Sequence, residues 1–540
     1  MRHKIPFLLL LVLIIFSSCS SLRLVTNRHD VKMLRAAQLI RSNYVDAVDS
    51  QILTEAAIRG MMNELDPYSR YLNAVQTRAR RDAMRRNFFG IGAETLMFAD
   101  TLHVVRIADD SPAQRAGLMW GDQLIYINNT SVAGVEIERQ EVMELLQGER
   151  GTTIDIRVLR RNTPDLIDFR IAFDRVSVSS IDAAYMIADD IGYIRISRFA
   201  ATAHQEFQEA KRMLRAQGME HLIVDLTHNS GGRMNAVVGI SSEFLERGTL
   251  ITYIEGENRR RRTFNSASGG EMLTGRVVVL VNEGSASASE MLAGALQDWD
   301  RGVIVGRRTQ GKGLAQQMLS LAGNTSLNLT TFRYYTPAGR NIQRPFETND
   351  FEEYLENTRN RMYHIENFNV DSIRLDNVPK FTTLVNNRTV FGGGGILPDY
   401  FVVADSLFNT PFSRNLTEKG VIQSIAIREV VDNRDELLYR YPDVAAFQEN
   451  FQLPENTMDR VKILAKEREI EWCDEQFERL HSLIVNRLKS FMAIGLYGWQ
   501  AHFKVLNEEN RILQEGLRII SDVERYENLL RGIGSNVGRQ

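Results

Sequence analysis

Cysteine is almost absent, with Cys19 and Cys473 the two in 540 residues, which excludes a disulfide framework. None of the nine histidines sits in an HExxH or comparable ligand spacing, so no metal or other cofactor is implied. An excess of one charge is lacking too: 65 basic and 68 acidic side chains leave a net charge of −3, without the basic surplus of a nucleic-acid binder. The N-terminal apolar run, Phe7 to Phe16, has ten residues, whereas a bilayer span needs about 20. Arg2, His3 and Lys4 precede it and Ser17, Ser18 and Cys19 follow as a small-residue processing site, so residues 1–19 read as a cleaved secretory signal segment. The remainder is ordinary globular protein, 44% hydrophobic and 25% charged. Its length suggests roughly three or four domains.

Chemistry gathers between Gly284 and Gln316. Just before this stretch, Arg276 to Asn282 (RVVVLVN) is short, β-branched and apolar, as in a strand buried on both faces. Glu290 to Trp299 has helical spacing through Met291, Leu292 and Leu296. Ser287 therefore falls at a strand-to-helix turn, where unpaired N–H groups and the helix dipole favour a developing negative charge. The S-x-x-E spacing of Ser287 and Glu290 also fits a capping box. Lys312 follows between Gly311 and Gly313, and a lysine without side chains beside it can enter a closed pocket. Neutral there, it can take the proton of a serine hydroxyl. Its pKa must fall from roughly 10.4 towards neutral, which costs on the order of 4 kcal/mol. Gln316, four residues on, shares a face with Lys312 and can orient the amine. A surface lysine in a glycine turn is the plain alternative.

The serine cluster followed by ASE, the GALQD helix, the GVIVG strand and the GKG-x-x-Q tail resemble the carboxyl-terminal processing peptidases, Ser-Lys proteases of the tail-specific type. The resemblance runs with gaps from about Lys32 to about Val403. It implies a nucleophile at Ser287, a general base at Lys312 and a lysine-orienting glutamine at Gln316. Upstream, the buried strand HLIVDL (His221 to Leu226) enters Thr227-His228-Asn229-Ser230-Gly231-Gly232. Two glycines there allow a sharp turn with exposed N–H groups, which suits an oxyanion hole or equally a tight strand-to-helix connection; the resemblance implies Gly231, Gly232 and the N–H of Ala288 as the donors. The family usually has arginine and proline where this chain has Thr227 and Ser230. His228 is the rival base of a Ser-His hydrolase.

Residues 83–174 resemble a PDZ domain through FFGIGAE (Phe88 to Glu94), SPAQRAGLMWGDQLIYINN (Ser111 to Asn129) and EVMELLQGERGTTIDIRVLR (Glu141 to Arg160). Such domains add a peptide strand to a sheet edge and hold its carboxylate in a nest of N–H groups. The resemblance puts the nest at Phe89, Gly90, Ile91 and Gly92, and the peptide-facing helix at Val142, Leu145 and Leu146. Residues 20–82 resemble the family's N-terminal linker and helical domain, and the protease core extends over 175–404. Within it, polar 344–391 reads as an insertion or lid and Gly392 to Gly395 as a hinge or plain loop. Residues 405–540 are mostly helical, with an apolar stripe including Ile463, Leu464, Ile470, Phe477, Leu480, Ile484, Leu488 and Met492. Such stripes form a core or a subunit contact, including an adaptor or homo-oligomer interface.

The expected architecture is multidomain α/β: an N-terminal helical segment, a β-rich α+β PDZ domain, an α/β core of the tail-specific protease (ClpP/crotonase-like) type, and a C-terminal helical domain. The expected function is a serine endopeptidase that reads free, apolar substrate C-termini and cleaves envelope proteins. Cys19 resembles the acylated cysteine of a bacterial lipoprotein, with Phe16 in place of the usual leucine. That implies a lipid anchor in the cell envelope and a chain facing the periplasm, with Cys473 a free structural cysteine. A catalytically silent PDZ scaffold that binds protein C-termini is the alternative.

Overall fold

The computed structural model describes residues 27–537 apart from 85–88, 99, 147, 177–178, 258, 347–349, 362–366 and 405–409. The signal segment and Cys19 lie outside the described residues, as does Phe88. Helices α1 (Arg28–Asn43) and α2 (Ser50–Asn63) start at Asn27 and Asp49, whose side chains accept the first free N–H groups. Asp66-Pro67 ends the helical run. The Asp66 carboxylate accepts from the N–H groups of Tyr68 and Ser69 (2.9 and 3.1 Å), and the turn delivers β1 (Arg70–Leu72).

The PDZ domain comprises β2 (Phe89–Gly90), β3 (Ala93–Phe98), β4 (Thr101–Ile107), β5 (Gln123–Ile127), α3 (Arg139–Leu145), β6 (Thr153–Leu159), β7 (Ile167–Ala172) and β8 (Asp174–Arg175). Its sheet runs β3-β4-β5-β6-β7, which leaves β3 on an edge, while β2 pairs antiparallel with β8. Period-two strands such as β6 turn Ile154, Ile156 and Val158 inward onto Leu124 and Ile127.

The core follows: β9 (Ile181–Met186), β10 (Ile191–Ile196), α4 (Ala203–Ala216), β11 (His221–Asp225), α5 (Met234–Ser242), β12 (Leu250–Gly256), β13 (Arg259–Asn265), β14 (Val277–Val281), α6 (Ala288–Asp298), β15 (Val303–Gly306), β16 (Leu314–Ser320), β17 (Ser326–Tyr335), α7 (Phe351–Asn360) and β18 (Tyr400–Phe401). The main sheet has the order β9-β10-β11-β14-β15-β18 and is parallel from β10 onward. β14 reads VVVLV because neither of its faces meets water. Val277, Val279 and Val281 pack with α4, α5 and α6, whereas Val278 and Leu280 pack against the end of the chain. A second sheet, β1-β17-β12-β13 with β16 also on β17, ties the N-terminal segment to the core.

The C-terminal unit includes α8 (Val421–Arg440), α9 (His481–Tyr497), α10 (Trp499–Leu506), α11 (Arg511–Ser521) and α12 (Val523–Leu530). Ile470, Phe477, Leu480, Ile484, Leu488 and Met492 fill its interior, while Ile463 is exposed. The last two helices cover the sheet's second face through Ile512, Leu513, Ile519 and Leu529. Among the described residues no helix is long and apolar enough to cross a membrane.

Candidate active site

β14 feeds the turn that precedes α6, and three serines alternate along it with different fates. Ser285 accepts from the Asn282 N–H (3.0 Å) and donates to the Leu226 carbonyl (2.8 Å). Ser289 donates to the Asn229 carbonyl (2.7 Å). Both are fully buried and their hydroxyls are spent on holding the turn. Ser287 is half-buried, with φ +53° and ψ −108° at the cap of α6, a strained backbone for a residue with a side chain. Its side chain meets the Tyr334 hydroxyl, whose pKa burial pushes up to about 12 against the pull of that contact.

Glu290 does more than cap. Its buried carboxylate accepts from the N–H groups of Ser287 (2.8 Å), Lys312 (2.9 Å) and Gly311 (2.7 Å) and from the Thr309 hydroxyl (2.6 Å). One side chain thus pins the serine turn to the lysine loop. Burial raises its pKa above the ordinary carboxylate range while these donors oppose the rise.

Lys312 enters a pocket walled by parts of the chain that sequence reading left without chemistry. Its Nζ lies 5.1 Å from the centre of the Tyr68 ring. The Tyr68 hydroxyl donates to that of Tyr354 on α7 (2.6 Å). Burial lowers the Lys312 pKa; Arg80 and Arg70 lower it further, and Glu290 opposes them. Described residues of the polar 344–391 segment therefore contribute to the site's wall. Besides Tyr354 the segment supplies buried Arg361, which donates to the carbonyls of Thr309 and Gln310 (3.1 and 2.7 Å). Gly395 is packed closely: a Cβ on it would fall 2.5 Å from the Thr309 carbonyl oxygen, so close backbone approach requires glycine there. Gln316 sits opposite Thr330 across β16 and β17 and donates to its hydroxyl (3.1 Å). Thr330 in turn donates to Asp66 (3.0 Å). Among the described residues no hydrogen bond joins Gln316 to Lys312, because a bulge between Ala315 and Gln316 shifts the register and the amide is engaged across the strands.

The loop after β11 is anchored by charge. Asp225 accepts from Tyr193 (2.6 Å), Arg195 (2.6 Å) and both the N–H and hydroxyl of Thr227 (2.8 and 2.7 Å). Burial would raise this carboxylate's pKa, but Arg195 and the hydrogen bonds hold it below the ordinary range. Arg195 also donates to the Thr227 hydroxyl and carbonyl. Asn229, fully buried, accepts from the Gly231 N–H through its side chain (2.9 Å) and from the Ala286 N–H through its carbonyl (2.9 Å). Gly231 then lies so near the serine turn that a Cβ on it would fall 2.9 Å from Ser287 Cβ and 3.0 Å from the Ala288 nitrogen.

This geometry corrects one expectation. The Gly231 N–H is already engaged by the Asn229 side chain. Gly232 forms a parallel bridge with Phe199 that uses the flanking groups, Gly231 O and Arg233 N. Among the described residues the N–H groups of Gly232 and Ala288 meet no acceptor.

His228 is held elsewhere. Its Nε2 faces the Asn282 amide nitrogen (2.9 Å), while Asn282 Oδ1 accepts from the N–H groups of His228 and Gly284. That leaves Nε2 as an acceptor already engaged, and burial lowers the ring's pKa. Asp190, Glu220 and His221 also come together. However, the Arg276 N–H donates to His221 Nδ1 (3.1 Å), which puts the ring proton on the Nε2 that faces Asp190.

In the PDZ domain, the carbonyls of Ile91 and Gly92 accept from Ala113 and Ala108 (both 2.8 Å). The N–H groups of Ile91 and Gly92 meet no acceptor among the described residues, next to the open edge of β3. Phe89 and Gly90 are tied to Arg175 and Asp174. Val142 is 3% exposed and packs within the domain core. Leu145 and Leu146 are half-buried.

A PDZ domain joined to a parallel α/β core, with a strained serine and a desolvated lysine pinned by one carboxylate, defines a serine-type peptidase. Comparison with known proteins agrees. Peptidase family S41 matches residues 190–352, the activating protease CtpB N-terminal domain 21–76, a PDZ domain 103–160, and a family of unknown function 412–498. The carboxy-terminal-processing protease of Bartonella bacilliformis is 33% identical over 308 residues, 56% of this chain and 70% of that protein. The carboxy-terminal processing protease CtpB of Bacillus subtilis is 32% identical over 317 residues, 58% of this chain and 65% of its own. A solved photosystem II D1 C-terminal processing protease is 28% identical, covering 59% of this chain and 91% of that one, with a TM-score of 0.35. The chain belongs to the carboxy-terminal processing proteases. It is a serine peptidase and not a silent scaffold.

Proposed function

We propose that Ser287 is the nucleophile and Lys312 the general base of an endopeptidase that takes polypeptides by their free, apolar C-termini. The observation that carries this is the Glu290 carboxylate, which accepts from the backbone N–H of both residues. Neutral Lys312 removes the Ser287 proton as Oγ bonds to the peptide carbonyl carbon. The oxyanion forms against the N–H groups of Gly232 and Ala288. Lys312 then gives its proton to the leaving amine as the C–N bond breaks, and water attacks the acyl-serine with Lys312 again as base. The substrate carboxylate is held by the N–H groups of Ile91 and Gly92 while its strand pairs with β3. The order of residues around Cys19 supports a lipid-anchored protein facing the periplasm.

The test uses the soluble form starting at Ser20 and an unfolded protein whose C-terminus is free or blocked. Cleavage is expected to vanish in Ser287→Ala and Lys312→Ala, to persist in His228→Ala, and to weaken on blocking. Cleavage by Ser287→Ala would sink the mechanism.

The pH profile provides a second check. Only neutral Lys312 is a base, so kcat/KM should rise with pH through an inflection below the ordinary lysine value of 10.5. Arg80 is exposed and helps to lower that pKa. Arg80→Gln should therefore move the inflection upward, and an unmoved profile would remove Lys312 as the titrating group.

A further inference from the structure

The C-terminal helical unit takes no part in the reaction above, yet its packing is specific. One side carries the PDZ domain. Trp120 covers Gly495, where a Cβ would fall 2.6 Å from the indole, and Gly121 fits against Ile427 and Val431. Arg161 pairs bidentately with Asp432, and Phe98 rests on Gly420.

A second side meets two domains with one aromatic face. On α10, Trp499 lies under Arg106 of the PDZ strand β4, 4.5 Å from the guanidinium carbon to the ring centre. One turn on, Phe503 lies under Arg195 of β10 at 4.8 Å. Asp182 stands between the two arginines, 4.0 Å from Arg106 and 3.9 Å from Arg195. Gln500 accepts from the Ala184 N–H (3.0 Å) and fastens the helix to β9. Arg195 is the side chain that grips Asp225 and Thr227, the root of the loop carrying Gly231 and Gly232. A planar guanidinium set between an aromatic face and two carboxylates has one orientation, which a flexible ammonium lacks.

We propose that this helical unit is a frame for the oxyanion loop, with Phe503, Asp182 and Arg195 as positioning residues for the Gly232 donor. The proposal rests on the catalytic reading given above.

The experiment uses the soluble chain from Ser20, with steady-state cleavage of an unfolded protein bearing a free apolar C-terminus and separate binding of a tail peptide. Phe503→Leu and Asp182→Asn should each lower kcat by about 10²-fold, the loss expected for a donor displaced by an ångström, with KM and peptide affinity unchanged. Phe503→Tyr keeps the aromatic face and should restore kcat. Arg195→Lys keeps the charge but loses the flat contact, so it should match Phe503→Leu, and the double variant should lose no more than either alone. If Phe503→Leu does not fold, Arg195→Lys and Asp182→Asn carry the measurement. Wild-type kcat in the variants, a loss confined to KM, or simple additivity overturns the frame. Ser287→Ala run in parallel separates the two readings: residual cleavage there defeats the catalytic assignment, whereas its inertness beside a fully active Phe503→Leu defeats the frame alone.

Discussion

Lys312→Met is expected to lower the cleavage rate by about 10⁴-fold, the upper range for removing a general base, and at the same time to raise the melting midpoint. The first effect follows because a serine hydroxyl without a base is a poor nucleophile. The second follows from burial, which disfavours the protonated amine. Its sign can be checked by titration. The folded pKa lies below 10.5, so between the two values the unfolded chain binds more protons than the folded one. Wild-type stability therefore gains from this group as pH rises through that window, and Lys312→Met lacks the gain. Initial rates and melting curves across pH decide the matter; a variant that keeps a substantial part of its activity, or that melts lower, contradicts the role.

Glu290→Gln is expected to be damaging for a different reason. Each carboxylate oxygen serves two donors: Oε1 takes Thr309 and Gly311, Oε2 takes Ser287 and Lys312. An amide keeps one oxygen and presents N–H groups to the other pair. Two buried donors then lose their acceptor, at roughly 1–3 kcal/mol each, and the nucleophile and base are no longer pinned together. A fall in kcat of about 10²-fold or more is expected from the displacement. A readout of the charge itself separates this from general damage. Glu290 opposes the lowering of the Lys312 pKa, so the surviving activity should show its inflection at lower pH. An unchanged inflection with full activity would reduce Glu290 to a helix cap.

Much of this site is local in the sequence. The β14 strand, the turn at Ser287 and the glycine-flanked Lys312 lie within one stretch, and periodicity places them. What escaped is what acts across the chain. Tyr68 sits in a segment legible only as a helix breaker, and its contact with Lys312 depends on the pairing of β1 with β17. Polar 344–391 suggested a lid because burial of arginine cannot be read without its acceptors; Arg361 has them at Thr309 and Gln310. The two glycines at 231 and 232 looked alike, and only the reach of the Asn229 side chain distinguishes them. The apolar stripe of the C-terminal helices was plain, but the PDZ domain and sheet beside them were not.

The covering of the main sheet also sets an order in time. Val278 and Leu280, on the strand leading to the nucleophile, rest on Ile512, Leu513 and Ile519. A ribosome releases Ser287 and Lys312 long before residues 511–530 exist. Until then that face is covered only in part, by earlier residues such as Trp499 and Phe503, whereas a parallel sheet needs both faces covered. A chain cut before Arg511 is therefore expected to leave the strand that leads to Ser287 without the packing of one of its two faces.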